Sequence, residues 1–323
     1  MAPPTLTEPP PCIYCRMPDS KDITPTEANA SDRWHVKSAC TESTQCPRIV
    51  AAAVCLALAF SIGERSLPAQ AVAAAQTVDG PADRSTPRTD RNSLLAHAQL
   101  LEKAAQGGID IYFVGDSIVR RWGATDYPEL LANWRQKFWG WNAGDFGWGA
   151  DKTQHILWRL EHGELDGVNP KVIVILAGTN NVGTQPGGAG KVADITRGLA
   201  AILAICRQKA PDAVIVLTAI FPRNDNMAVV PEINRINANI ERMADGRRVR
   251  FLSVNNGLAD RDGRLLDGMM NARDQLHPTL KGYQVWAEGL KPIFAELLGP
   301  PSAIDHAPPP TGDPSARGRS GGR

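Results

Sequence analysis

Three apolar, β-branched runs constrain this chain more than any other feature: residues 109–114 (Ile-Asp-Ile-Tyr-Phe-Val), 171–177 (Lys-Val-Ile-Val-Ile-Leu-Ala) and 213–219 (Ala-Val-Ile-Val-Leu-Thr-Ala). A short continuous apolar run that stops at a glycine or a polar turn reads as a strand covered on both faces. Helical patterns lie around and between these runs. Leu94, Leu95, Ala98, Leu101 and Ala105 set a helix over 93–105, and others are expected over 127–138, 153–161 (behind an Asp cap at Asp151), 192–209, 232–244 and 280–298. Short strands are expected at 139–142 and 249–253, and a glycine-punctuated loop at 145–151. Strand alternating with helix implies a parallel sheet with helices on both faces, an α/β fold, in one domain over about 91–299.

The chain has 323 residues, 43% of them hydrophobic, enough for a substantial core. Its 35 Lys+Arg and 34 Asp+Glu leave a net charge of +1, with no electrostatic footprint for nucleic acid or an anionic membrane. Cys12, Cys15, Cys40, Cys46 and Cys55 crowd the first sixty residues and only Cys206 follows. The main domain can therefore form no internal disulfide. Cys12 and Cys15 have C-x-x-C spacing without a second such pair, so no metal site is expected.

The two ends read differently from the middle. Residues 1–47 are polar and Pro-rich without periodicity, as in a disordered or mis-assigned extension. Arg48, the apolar run 49–63 and the Ala-rich stretch 69–75 together have the layout of a secretory signal peptide or an anchor over 48–75, beginning unusually late. That layout predicts a secreted or periplasmic protein with no stable membrane span after processing. A linker is expected over 76–90, and a disordered Pro- and Gly-rich tail over 300–323.

Polar groups sit where the strands end. The first run stops at Gly115-Asp116-Ser117, the second at Gly178-Thr179-Asn180-Asn181, and Asp274-Gln-Leu-His277 precedes the last helix. A parallel sheet gathers its carboxyl ends along one edge, where ligands bind. Ser117 either caps the following helix or is a nucleophile. In the second reading His277 is the base and Asp274 holds its tautomer. The N–H groups of Ser117 and Ala150 and the amide of Asn180 would then form an oxyanion hole. Activity is expected to fall below about pH 6 as His277 takes a proton. Asp116 is expected to tie down the turn, and Trp148 and Asn181 to line the substrate pocket. His155, His162 and Cys206 read as structural. Neither a G-x-S-x-G elbow nor a nucleotide-binding glycine loop is present.

Gly115-Asp-Ser117, the glycine loop, Gly178-Thr-Asn180 and Asp274-x-x-His277, in this order, resemble the four blocks of the SGNH, or GDSL-type, esterases. Residues 153–165, Pro170-Lys171 and Gly178-Thr-Asn-Asn181 are similar to the catalytic subunits of platelet-activating-factor acetylhydrolase Ib. The resemblance covers about 111–298. It implies a flavodoxin-like three-layer α/β/α sandwich, here with a five-stranded parallel sheet. It also implies no cofactor, hydrolysis of esters of small acyl groups, and pairing of two copies into a homodimer. Carried over residue by residue, it assigns Ser117 as nucleophile, Asn180 as oxyanion donor, and Asp274 with His277 as the remainder of a triad. This chain departs from the pattern at Ala150, where a glycine is usual, and at Asp145, where relatives have Asn. A backbone donor survives Gly to Ala only at negative φ, and a carboxylate at Asp145 would oppose an oxyanion if it lay close. With export, the expected substrate is a small acylated molecule such as a carbohydrate ester. A lysophospholipase or thioesterase of the same mechanism, and a non-catalytic carbohydrate- or partner-binding module on the same scaffold, are the alternatives.

Overall fold

The structure is a computed structural model, and it describes residues 80–316. The signal-like segment 48–75, the extension 1–47 and the Cys12–Cys15 pair lie outside the described residues. Five strands form one wholly parallel sheet: β1 (Ile111–Gly115), β2 (Ala143–Gly147), β3 (Val172–Leu176), β4 (Val214–Thr218) and β5 (Val249–Leu252), in the order β2-β1-β3-β4-β5. Side chains along β1 alternate between faces, as the pleat requires. Tyr112 and Val114 join one core with helices α1 (Arg91–Gln106), α4 (Thr153–Arg159), α6 (Gly188–Lys209) and α7 (Val230–Glu241). Ile111 and Phe113 join the other with α2 (Ser117–Gly123), α3 (Pro128–Phe138) and α8 (Leu280–Leu298). The result is a three-layer α/β/α sandwich.

The second core is aromatic. The Phe113 ring meets Trp134 at 4.7 Å, Phe138 at 5.3 Å and Trp286 at 6.0 Å between centroids. Burying a side chain of this size contributes about 1.5–3 kcal/mol, so the strand that leads to Ser117 is firmly seated. The strand order reverses between β1 and β3. Open sheets of this kind place their ligand crevice there, outside the carboxyl ends. Ser117 begins α2 just after β1, and Asn180 lies in the short helix α5 (Thr179–Val182) just after β3.

Three expectations need correction. The second strand is not 139–142 but β2, whose last three residues lie inside what reads as a loop. β2 has no β-branched residue, and its glycines serve close packing: a Cβ on Gly147 would stand 2.4 Å from the backbone N of Arg120. The cap of α4 is Lys152, whose N–H donates to Nδ1 of His155 at 3.1 Å, while Asp151 is buried in an ion pair with Arg159. The tail is not disordered through residue 316. Ser302 N donates to Gly140 O, His306 N to Asn142 Oδ1, and Thr125 N to Thr311 O. Backbone groups and the Asn142 side chain thus hold this stretch, whose prolines have no N–H to donate. The linker is similarly bound, since Ala82 is buried, donates to Asp194 and accepts from Thr153 Oγ1. Among the described residues no helix is long and apolar enough to cross a membrane.

Candidate active site

Asp116, not Ser117, caps α2: its Oδ1 accepts from Ile118 N at 2.9 Å. Ser117 is thereby free, and as the first helical residue it presents an N–H with no partner four residues back. Burial pushes the Asp116 carboxyl up to about 7, with the Ile118 N–H opposing and the Asp151 carboxylate reinforcing the rise. Gly115 is obligatory at this crossing, because a Cβ there would lie 2.1 Å from Leu176 O.

From the far end of the chain, the loop before α8 delivers the partner. Asp274 Oδ1 accepts from the N–H groups of Leu276 (3.1 Å) and His277 (3.0 Å), which folds the carboxylate back over its own turn. The turn is bolted by Asn271 N to His277 O, Gln275 N to Asn271 O and Asn224 N to Gln275 O. His277 Nδ1–H donates to Asp274 Oδ2 at 2.9 Å, leaving Nε2 as an acceptor 2.8 Å from Ser117 Oγ. The serine, imidazole and carboxylate thus form one continuous chain across 160 residues of sequence.

Burial, and then the guanidinium of Arg121, hold the imidazole of His277 below its ordinary 6.5, while Asp274 pulls the other way. Against the opposing effect of burial, the His277 and Leu276 N–H groups and the imidazole hold Asp274 below its usual carboxylate value. A base must be neutral to accept a proton, and a lowered pKa keeps it neutral to lower pH. The acid limb of activity is therefore expected below the ordinary histidine value rather than near it. Arg121 Nη1 lies 3.6 Å from Asp274 Oδ2. Arg121→Gln removes a charge that disfavours imidazolium and frees the carboxylate that favours it. The acid limb of the kcat/KM–pH profile should move to higher pH, and an unmoved limb would show that Arg121 does not tune His277.

The groups expected as oxyanion donors lie on three segments: Ser117 at the start of α2, Ala150 in the turn before α4 and Asn180 in α5. Asn180 Nδ2 donates to Asp151 O at 2.8 Å, which spends one of its two amide protons and fixes the direction of the other. Ala150 is exposed, in the turn that closes Asp151 N onto Trp148 O, at φ 61°. The expectation of a negative φ at Ala150 is corrected: the alanine holds the left-handed backbone that a glycine would adopt, so its N–H keeps that direction at a strain cost of about 1–2 kcal/mol. Ala150→Gly is expected to stabilise the protein by about 1 kcal/mol, net of the entropy of glycine in the unfolded chain. Urea unfolding would read this, and a lower midpoint for the variant would contradict it.

Asp145 does not carry its charge free toward an oxyanion. Its Oδ1 accepts from Gly147 N (2.8 Å) and its Oδ2 from Gly123 N (3.1 Å), and burial pushes the carboxyl up to about 6 against the pull of Lys103. Two expected lining residues are employed elsewhere. Trp148 is buried with its indole N–H on Ser93 Oγ at 2.8 Å and the Arg120 guanidinium over its ring, while Asn181 spends its amide on Thr153 and Gln154. The hydrogen-bonding groups of both side chains are thus engaged within the fold. His162 Nδ1 meets Trp158 O at 2.7 Å, and the thiol of Cys206 is pushed up to about 12 by burial, both structural roles. Sequence reasoning missed Arg88, which bonds Gly149 and Asp151, Arg121 beside Asp274, Arg159 on Asp151 and Gly115, and Arg223, which donates to Thr179 O at 3.0 Å; no motif spacing marks them.

Residues 113–285, from β1 into α8, match the GDSL-like lipase/acylhydrolase family. The chain belongs to that family. It is 29% identical over 242 residues to the platelet-activating factor acetylhydrolase IB subunit alpha1 of Bos taurus, covering 73% of this chain and 98% of the relative. With the Homo sapiens subunit alpha1 it shares 30% identity over 226 residues, 68% of this chain and 92% of the relative. Among solved structures, a GDSL-like lipase from Bacteroides thetaiotaomicron superposes with a TM-score of 0.52 at 18% identity, covering 62% of this chain and 98% of that one. As a GDSL-like acylhydrolase, the protein is a carboxylic ester hydrolase.

Proposed function

We propose that this acylhydrolase cleaves short-chain esters, acetyl esters foremost, through an acyl-enzyme on Ser117. The observation that carries the reading is the 2.8 Å contact between Ser117 Oγ and His277 Nε2, with the same ring anchored on Asp274. Ser117 Oγ attacks the acyl carbonyl as His277 Nε2 takes its proton. The tetrahedral oxyanion is met by the N–H groups of Ser117 and Ala150 and by Nδ2 of Asn180. His277 then protonates the departing alcohol, leaving the acyl group on Ser117. Water attacks with His277 again as base, the acid departs and the serine is restored. Asp274 holds the tautomer and stabilises the imidazolium throughout.

The acetyl preference is supported by the relatives, both named as acetylhydrolase subunits. Export is supported by the sequence layout of residues 48–75, and it favours an extracellular ester such as an acetylated carbohydrate. The test is a p-nitrophenyl ester panel from acetate to laurate beside acetylated sugars, with mass-spectrometric mapping of a fluorophosphonate adduct. The acetyl ester should give the highest kcat/KM, with the adduct on Ser117. Rates that climb with acyl length would replace the acetyl reading by a lysophospholipase one, and an adduct elsewhere would remove Ser117 from its role.

A further inference from the structure

Arg159 is buried at 4% exposure, and its planar fork reaches three separate segments. Nε donates to Asp151 Oδ2 at 2.8 Å, Nη2 to Gly115 O at 3.3 Å, and Nη1 to Glu164. Gly115 is the last residue of β1, two before Ser117. Asp151 follows Ala150, and its carbonyl is the acceptor that orients Asn180 Nδ2. All three oxyanion donors thus lie within two residues, or one hydrogen bond, of a group that Arg159 holds.

The contact with Glu164 is made by a local break in the helix. Residues five apart on an α-helix point about 140° away from each other. Here α4 runs into a π-type turn, Leu160–Glu164, with Gly163 at φ 106°, which swings the Glu164 carboxylate back onto Arg159. Glu164 is itself fixed by His97 Nδ1 at 2.8 Å and, through its carbonyl, by Tyr112 O–H at 3.1 Å. Two carboxylates therefore balance the buried guanidinium. A second arginine grips the same loop from outside. Arg88, 26% exposed on the segment before α1, places Nη1 at 3.2 Å from Gly149 O and 3.4 Å from Asp151 Oδ1.

We propose that Arg159 and Arg88 form a clamp of positioning residues that sets the oxyanion hole, by fixing the peptides of Gly149 to Asp151 against Gly115 and Asn180. The inference rests on the assignment of Ser117 N–H, Ala150 N–H and Asn180 Nδ2 as the donors. Neither arginine touches the reacting atoms or the His277–Asp274 pair. The clamp acts only on the donors' positions, so its loss weakens binding of the tetrahedral state and leaves substrate binding and the base untouched.

The test uses the full chain with Arg159→Lys and Arg88→Ala, a p-nitrophenyl acetate assay, and a boronic acid as the tetrahedral mimic. Arg159→Lys keeps the charge but loses the fork, and kcat should fall on the order of 10²-fold, the scale of a displaced catalytic group. Arg88→Ala should cost about tenfold, a milder version of the same donor displacement. In both, KM should stay within about threefold, boronate affinity should fall in step with kcat, and the acid limb should not move, because only oxyanion binding is weakened. Should Arg159→Lys fail to melt cooperatively, Arg88→Ala, at a partly exposed residue, decides alone. Undiminished kcat in a folded variant, or boronate affinity that holds while kcat falls, overturns the clamp. Failure of the wild-type protein to bind boronate or to label at Ser117 would instead reject the triad reading beneath it.

Discussion

Ser117→Ala and His277→Ala are each expected to lower kcat for ester hydrolysis by about 10⁶-fold, and the double variant is expected to lose no more than either single one. The three side chains form one hydrogen-bonded unit: Oγ on Nε2 at 2.8 Å, Nδ1 on the carboxylate at 2.9 Å. Without the hydroxyl there is nothing to acylate, and without the imidazole the hydroxyl keeps its proton near neutral pH. Either deletion therefore stops the same step, and effects within such a unit do not add. Residual turnover should persist through the oxyanion donors and binding alone, on the order of 10³-fold over water. Purified variants measured with p-nitrophenyl acetate, checked for folding by circular dichroism, settle it. Losses that multiply in the double variant would mean that serine and imidazole work independently.

The second large effect is at Asn180. One proton of its Nδ2 is committed to Asp151 O at 2.8 Å, so the amide is held in place before substrate arrives. Preorganised donors need no rearrangement when charge develops, which is why removing one costs about 10²–10³-fold in kcat. Asn180→Ala should show that loss with KM nearly unchanged, since the ground-state carbonyl gains little from the donor. A variant that raises KM and spares kcat would show instead that Asn180 binds the substrate body.

The parts legible in the sequence were those whose cause is local. α8 spans Leu280–Leu298, the range its periodicity predicts, because Thr279 caps it through Gly282 N and Gly299 ends it in a left-handed turn. β1, β3 and β4 declare themselves by β-branched residues buried on both faces. The edge strand β2 does not, since Ala-Gly-Asp-Phe-Gly is chosen by what presses on it from α2 and not by strand propensity. At the site, the meeting of Ser117, Asp274 and His277 was legible because nucleophilic acyl transfer would call for these residue types together. Arg159 was not, since its contacts with Gly115 and Asp151 exist only after the sheet has formed. The left-handed turn at Ala150 and the closed bonds of Trp148 and Asn181 are likewise products of assembly.

The segment after α8 has a consequence for how the molecule comes apart. Asp313 accepts from Asn92 at 3.1 Å near the start of α1, and Asp126 accepts from Asp313 N at 2.9 Å. Among the described residues, the segment after α8 is therefore latched to the start of α1, and trimming the chain before residue 313 would remove both of these bonds.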